Sequence, residues 1–262
     1  MRPADQPSNP PVEPKRKVTV VGSTGLVGSQ LVGFLIAAGH EVVEVSQNSG
    51  ADVLTGEGLD EALAGVDVVI DVINSAPPDD SAEAFFKQTS ANLAAAASAA
   101  GVDHYVVLSI VGTDELAAEA GYMRGKLAQE TAAEHSGVPW TVVRSTRFHE
   151  LAESITESLI DGDEVRAPDA HIQTIASAEL AAVLVRIATG EPLNTIHEVG
   201  GPHKMTFSDM ARAVLTHQGR DLTVIDTTPP TYFGLPINDT TLVTGDHAEH
   251  GTTPLTDWLA RS

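Results

Sequence analysis

Short apolar runs alternate with segments of helical pattern along the first half of the chain. The runs are rich in Val and Ile at consecutive positions, which is typical of strands buried on both faces. We predict strands at 18–21, 41–46, 52–54, 66–72, 105–110 and 140–144, and helices at 26–38, 59–63, 82–100 and 123–135. This alternation predicts an α/β fold, with a Rossmann-like, doubly wound parallel sheet between two helical layers.

The alternation becomes looser after Arg144, where we predict strands at 172–175 and 196–199 and helices at 179–188 and 208–218. We therefore expect three parts. Residues 1–14 are a proline-rich leader, expected to be disordered, and residues 15–147 form the core. Residues 148–262 form a small C-terminal substrate lobe, which makes one compact unit with the core.

The first predicted strand runs into a turn that has glycine at every third position. Glycine permits backbone angles closed to other residues, and it lets a diphosphate approach the free N–H groups at a helix start. The spacing G-x-x-G-x-x-G meets the common dinucleotide pattern only in part, and a turn without a ligand is the alternative. We predict a dinucleotide-binding core whose cofactor contacts Gly22, Ser23, Thr24, Gly25, Leu26, Val27 and Gly28.

The residues after the second predicted strand bear on the choice of cofactor, because this position lies beside the adenosine ribose in such folds. Ser46 and Gln47 stand there instead of the acidic residue that favours NAD(H), and no nearby arginine is present for a 2′-phosphate. The neutral donors favour NADP(H) over NAD(H). Asp52 is a further candidate contact, or a surface aspartate at a turn. Asn74 and Ser75 follow the strand at 66–72 and are expected near the ribose or nicotinamide.

Tyr122 and Lys126 are four positions apart where a helix is predicted to begin, so they share one helix face. A neighbouring ammonium favours the phenolate of a tyrosine, which can then act as acid or base in carbonyl reduction. Ser109, at the end of the strand at 105–110, could hydrogen-bond the same substrate oxygen. The alternative is that Ser109 caps a turn, Tyr122 packs and Lys126 is solvated.

Several stretches together are similar to one protein family. They are Gly22-Ser23-Thr24-Gly25-Leu26-Val27-Gly28, Val107-Leu108-Ser109-Ile110-Val111-Gly112, Gly121-Tyr122-Met123-Arg124-Gly125-Lys126, Trp140-Thr141-Val142-Val143-Arg144-Ser145-Thr146-Arg147-Phe148-His149-Glu150, Glu198-Val199-Gly200-Gly201-Pro202 and Tyr232-Phe233-Gly234. From Lys17 onward the chain resembles the short-chain dehydrogenase/reductase superfamily, and within it the atypical, NmrA-like branch of NAD(P)-binding proteins.

The resemblance implies catalytic roles for Ser109, Tyr122 and Lys126, and a cofactor contact for Lys126. Two positions depart from the family pattern: Gln47 stands where many NADP-binding relatives have arginine, and Met123 replaces a frequent second tyrosine. The expected function is NAD(P)H-dependent oxidoreduction of a small carbonyl or alcohol. The alternatives are a non-catalytic NAD(P)-sensing protein that acts through a protein partner, and an isomerase or epimerase with tightly held cofactor.

The substrate is expected to contact residues that follow two of the predicted strands, namely Ile110, Val111, Phe148 and His149. Phe148 could equally be a core residue. Arg144 and Arg147 could bridge to acidic residues of the second lobe.

Composition narrows the partners further. The chain of 262 residues has 36 acidic and 15 basic residues, for a net charge of −21, which opposes binding to nucleic acid or to an anionic membrane. It has no cysteine, which excludes disulfides and fits a cytoplasmic protein. No run is apolar enough for a membrane span. The histidines at 247 and 250 lack a pattern of further ligands, so we expect no metal site, and the oligomeric state stays open.

Overall fold

The computed structural model describes residues 14–75 and 79–261, so nearly all of the expected leader at 1–14 lies outside the described residues. The strands are β1 (Lys17–Val21), β2 (Glu41–Val45), β3 (Val68–Asp71), β4 (His104–Ile110), β5 (Trp140–Ser145), β6 (Arg147–Phe148), β7 (Ile160–Asp161), β8 (Glu164–Pro168), β9 (His171–Ile175), β10 (Ile196–Gly200), β11 (Lys204–Thr206), β12 (Thr223–Thr227), β13 (Thr231–Tyr232), β14 (Leu235–Pro236) and β15 (Glu249–His250). The helices are α1 (Leu26–Ala37), α2 (Leu59–Ala62), α3 (Ala82–Ala100), α4 (Thr113–Leu116), α5 (Gly121–Glu134), α6 (Ala152–Ser158), α7 (Ser177–Thr189), α8 (Phe207–Gln218) and α9 (Leu255–Leu259).

The central sheet has the strand order β15-β10-β5-β4-β3-β1-β2, and every neighbouring pair in it is parallel. The chain leaves β1 through α1 to β2 on one side and then crosses to β3 on the other side. The strand order therefore reverses at β1, which is where ligands bind in doubly wound sheets. The predicted fold class, α/β with a Rossmann-like, doubly wound parallel sheet, is confirmed.

Two apolar layers cover the sheet. On one face α1 and α7 bury Leu31, Leu35, Leu180 and Leu184 against the strands. On the other face α2, α3 and α5 contribute a second cluster, with Leu93 of α3 fully buried against it. Side chains of β1 alternate between the two layers, because successive residues of a strand point to opposite faces.

A smaller layer of helices and short strands packs over the carboxyl ends of the sheet. Its own apolar cluster includes Phe207, Met210 and Val214 of α8, Ile155 of α6 and Tyr232. Strand β8 pairs with β12 in parallel and with β7 in antiparallel register, and β9 pairs with β6 and β11.

Two expectations about single elements were wrong. Residues 52–54 form no strand: the Asp52 carboxylate accepts the N–H of Leu54 at 2.7 Å, and the Asp52 carbonyl accepts the N–H of Gly56, so the segment closes into a turn. The strand at 196–199 was expected in the C-terminal lobe. It forms part of β10, which pairs with β5 and extends the central sheet.

Among the described residues, no helix combines the length and apolarity that crossing a membrane requires.

Candidate functional site

A cavity of about 750 Å³ lies at the carboxyl ends of β1 to β5, beside the point where the strand order reverses. Most of the residues predicted for the site line this cavity. They are Gly22, Thr24, Gly25, Leu26, Val27, Gly28, Ser46, Gln47, Asp52, Asn74, Ser109, Ile110, Tyr122, Lys126 and Phe148. Its size fits a small-molecule or cofactor site.

The glycine turn has the shape that a diphosphate requires. Gly22 has φ +91°, which disfavours other residues, and a Cβ on Gly28 would lie 2.1 Å from the Gly22 carbonyl oxygen. Gly25 is the N-cap of α1, no side chain caps this helix start, and its first turn has no acidic residue. The N–H groups at the start of α1 therefore have no capping partner and can bind an anion in the cavity, so the residues present fit the diphosphate of a dinucleotide.

Ser46, Gln47 and Asp52 lie at one end of the cavity, next to β2. Ser46 and Ser49 bond to one another, because the Ser46 N–H donates to Ser49 Oγ at 3.0 Å and Ser49 Oγ donates to the Ser46 carbonyl. Gln47 has no such bond among the hydrogen bonds of the described residues, which leaves its amide available to a ligand. Asp52 lines the same end, with one carboxylate oxygen turned to the backbone of its own turn.

Tyr122 and Lys126 lie around the ring of Phe86, because two glycines let α5 approach α3 closely. A Cβ on Gly125 would lie 2.7 Å from the Phe86 side chain, and one on Gly121 would lie 2.5 Å from the Asp80 Cα. The Lys126 ammonium lies 5.1 Å from the centre of the Phe86 ring, and the Tyr122 ring meets it edge to face. The glycines thus place both polar groups at the cavity wall.

The Tyr122 hydroxyl donates to Asn74 Oδ1 at 2.8 Å across the cavity. Burial raises the pKa of Tyr122, while the charge of Arg147 and the bond to Asn74 act in the opposite direction. Lys126 was expected to lower the pKa of Tyr122. In the structure the cation that acts on this phenol is Arg147, because the Lys126 ammonium is turned to other partners.

The Lys126 ammonium is almost fully buried and donates to the Leu108 carbonyl at 2.7 Å and to Gln129 Oε1. Gln129 Nε2 in turn donates to Asp71 Oδ2 at 2.7 Å. Burial lowers the pKa of Lys126 to about 8, against the pull of Asp71 and Glu130, and burial raises the pKa of Asp71. Lys126 is therefore a lysine that can lose its charge in mildly alkaline solution.

Ser109 is 1 % exposed, and its hydroxyl donates to Glu130 Oε1. The same carboxylate forms a buried two-point ion pair with Arg144, at 3.0 Å from Nε and 2.8 Å from Nη2. Arg144 also contacts Asp114 at 3.0 Å. The expected bridge from Arg144 to acids of the second lobe is thus wrong, since both partners precede residue 147. Ser109 lines the cavity, but its hydroxyl hydrogen is committed to Glu130.

Four predicted site residues do not line the cavity. Ser23 is buried and its Oγ has no hydrogen-bond partner, Val111 is buried, and the Ser75 N–H is turned to Asn74. His149 is 1 % exposed, with its ring nitrogens 2.8 Å from Thr174 Oγ1 and 3.0 Å from the Thr253 carbonyl. Burial lowers the pKa of His149. Its two bonds connect the segment before α6 to β9 and to the C-terminal segment.

Arg147 lines the cavity next to Phe148, which both lines the cavity and packs on the core. Its guanidinium lies 5.2 Å from the centre of the Tyr232 ring. Sequence reasoning expected a salt bridge for Arg147 and did not place it in the site. Its position two residues after the end of β5, at the edge where the carboxyl ends of the strands lie, was the available signal.

Among residues 14–75 and 79–261, no group of three or more His, Asp or Glu side chains is arranged to hold a metal ion. In the segment that contains His247 and His250, Glu249 bonds to Arg186 and His197, and His250 bonds to Thr244.

Comparison with known proteins agrees with this geometry. Residues 22–191 match the family described as NAD(P)H-binding. The (4-alkanoyl-5-oxo-2,5-dihydrofuran-3-yl)methyl phosphate reductase of Streptomyces griseus subsp. griseus is 33 % identical over 225 residues, which cover 78 % of this chain and 75 % of that protein.

Two solved structures show the same fold. The Bordetella bronchiseptica enzyme WbmG in complex with NAD has a TM-score of 0.73 at 17 % identity, over 94 % of this chain and 92 % of that one. An NADPH-dependent quinone oxidoreductase from Escherichia coli, in complex with NADPH, has a TM-score of 0.65 at 20 % identity, over 93 % of this chain and 99 % of that one.

The family match and the Streptomyces griseus relative define the class as NAD(P)-dependent oxidoreductases, as the sequence predicts. Within that class the chain belongs to the NAD(P)H-binding family.

Proposed function

We propose that this protein reduces a small carbonyl compound with NADPH and that Tyr122 donates the proton. The observation that carries the proposal is the Tyr122 hydroxyl, which faces Asn74 across the cavity and has a pKa raised by burial. A raised pKa keeps the phenol protonated at neutral pH. That state suits a proton donor in reduction better than a base in alcohol oxidation.

The glycine turn at residues 22–28 would hold the diphosphate of NAD(P)H, which when bound would supply the hydride for the reduction. The Tyr122 hydroxyl turns from Asn74 to the substrate oxygen and gives its proton, so that hydride and proton together complete a two-electron reduction. The phenolate that remains faces the positive charge of Arg147, which lowers the pKa of Tyr122 and so stabilises this anion until water returns a proton.

Lys126 and Ser109 take supporting roles in this proposal. Lys126 donates to the Leu108 carbonyl and lines the cavity, which fixes the end of β4 and keeps a positive charge beside the cofactor. Ser109 donates its hydroxyl hydrogen to Glu130, so it does not donate a hydrogen bond to a substrate oxygen and only packs beside it. Neither residue has the catalytic role that the family resemblance implies, whereas Lys126 keeps the implied position beside the cofactor.

The preference for NADPH rests on the end of the cavity beside β2. Ser46 and Gln47 line it without an acidic residue at the position that would repel a 2′-phosphate. Calorimetric titration with NADPH and with NADH tests this preference directly, and tighter binding of NADH would contradict it.

For the substrate, the Streptomyces griseus relative is named for a furanone that carries an alkanoyl group and a methyl phosphate. We propose a substrate of the same broad kind, a small compound with a carbonyl group or a conjugated double bond. The cavity wall supplied by Ile110, Phe148 and Leu151 suits the apolar part of such a compound.

The decisive experiment follows loss of NADPH absorbance over a panel of small carbonyl compounds that includes that furanone phosphate. Tyr122→Phe should lower kcat by about 10²- to 10⁴-fold, the usual worth of a general acid, while NADPH affinity stays within about twofold. Unchanged turnover in Tyr122→Phe would refute the role of Tyr122. NADPH binding with no turnover of any compound would favour the NAD(P)-sensing alternative. Oxidised cofactor that co-purifies with the protein would favour an isomerase.

A further inference from the structure

Arg147 differs from most arginines of this chain in lacking an acidic partner. Those with a carboxylate within ion-pair distance are Arg16, Arg124, Arg144, Arg166, Arg186, Arg212 and Arg220. Among the described residues, Arg147 has no such partner, although acids outnumber bases 36 to 15 in the sequence. Its Nε is buried without a hydrogen bond.

An unpaired, partly buried cation costs stability, so its position at a cavity wall points to a ligand that pairs with it. The guanidinium lies over the Tyr232 ring, 5.2 Å from its centre, and Tyr232 is itself held in the apolar cluster of the lobe. The guanidinium is therefore held in place by packing, with nitrogen donors left for a group in the cavity.

The place of Arg147 in the sheet separates it from the phosphates of a dinucleotide. It follows β5, whereas the glycine turn follows β1 and the adenosine end lies beside β2. In the sheet, β5 is three strands from β1 and four from β2, so at a spacing of ~4.8 Å the strand axes lie about 14 Å and about 19 Å apart. The charge of Arg147 acts on Tyr122, the proton donor of the proposed reaction, whose pKa it lowers.

We propose that Arg147 binds an oxyanion group of the substrate, a phosphate ester or a carboxylate, and so selects anionic substrates. This inference rests on the proposed reductase function. A guanidinium suits this task because its fork of donors matches two oxygens of such a group. The anion would take the place of the missing carboxylate partner, next to the proton donor Tyr122.

The test compares two probes on protein loaded with NADP⁺: the furanone phosphate of the turnover assay and the alcohol left when its phosphate is removed. Calorimetry should show the phosphate binding at least ~10-fold more tightly than the alcohol, with a difference that shrinks as salt is added. Arg147→Gln should weaken binding of the phosphate by ~10-fold or more and leave the affinity for the alcohol within about twofold of the wild-type value. Arg212→Gln, which removes an exposed arginine paired to Asp209 on α8, should change neither.

Comparing the two probes separates anion binding from the influence of Arg147 on Tyr122, because an altered phenol affects both probes alike. The proposal would be overturned if both probes bound equally to the wild type, if Arg147→Gln weakened binding of both equally, or if neither probe bound. A selective loss of NADPH over NADH binding in Arg147→Gln would also overturn it, since the cation would then serve the cofactor. Anion binding without turnover of any compound would instead refute the proposed reductase function alone.

Discussion

Gly25 offers a way to remove cofactor binding without unfolding the protein. A Cβ built on Gly25 meets only the Gly22 carbonyl oxygen, at 3.3 Å, and its φ of −74° is open to every residue. Loss of a glycine N-cap costs about 0.5–1 kcal/mol of stability. Gly25→Ala should therefore fold, while its methyl group occupies space that the bound diphosphate needs.

We expect Gly25→Ala to lower NADPH affinity by at least ~10-fold, which corresponds to about 1.4 kcal/mol. Two other glycines serve as comparisons. Gly28→Ala would place a Cβ 2.1 Å from the Gly22 carbonyl oxygen, so it should destabilise the fold strongly. Gly33→Ala, in the same helix with nothing within 4 Å, should bind NADPH normally and gain about 0.5–1 kcal/mol.

Calorimetric titration with NADPH gives the affinities, and urea denaturation of the same samples gives the stabilities. The reasoning fails if Gly25→Ala binds NADPH as tightly as Gly33→Ala does. It also fails if Gly25→Ala unfolds as readily as Gly28→Ala, because the position would then serve the turn and not the ligand.

Three further expectations concern the cofactor, pH and nucleic acid. Gln47→Asp should raise NADH affinity and lower NADPH affinity, each by ~10-fold, because a carboxylate there bonds the ribose hydroxyls and repels a 2′-phosphate; fluorescence titration checks this. Burial lowers the pKa of Lys126 from 10.5 to about 8, so between these values the unfolded chain binds more protons than the folded one. The free energy of unfolding should thus rise with pH across this window, by on the order of 3 kcal/mol relative to Lys126→Met. Urea denaturation of both proteins over this pH range measures it, and parallel curves of unfolding free energy against pH would contradict the prediction. Finally, an anisotropy titration at low salt should show no saturable binding to duplex DNA, given the net charge of −21.

Sequence patterns predicted those elements whose conformation depends mainly on residues close together in the chain. The turn at Gly22 and the helix that follows it were readable because the glycine spacing and the buried strand occur within one short segment. The segment at 52–54 was misread, because three residues carry too little periodicity to outweigh an aspartate that bonds to its own backbone.

Contacts between distant parts of the chain were beyond the same reasoning. The pairing of β10 with β5 joins residues more than fifty positions apart, and nothing in the run Ile196–Gly200 specifies its neighbour. The commitment of Ser109 to Glu130 depends on how α5 packs against β4. The unpaired state of Arg147 likewise depends on the positions of all the acids around it, which a sequence pattern does not give.

The return of the chain to the central sheet through β10 and β15 limits how relatives of this protein can exchange parts. A chimera joined at residue 147 would keep the glycine turn but would receive β10 and α7 from another parent, and the backbone of β5 would have to match a foreign strand. Recombination that leaves this fold intact should instead exchange segments within the lobe, between β5 and α7 or between β10 and β15. Substrate range can then diverge while the cofactor half is inherited unchanged.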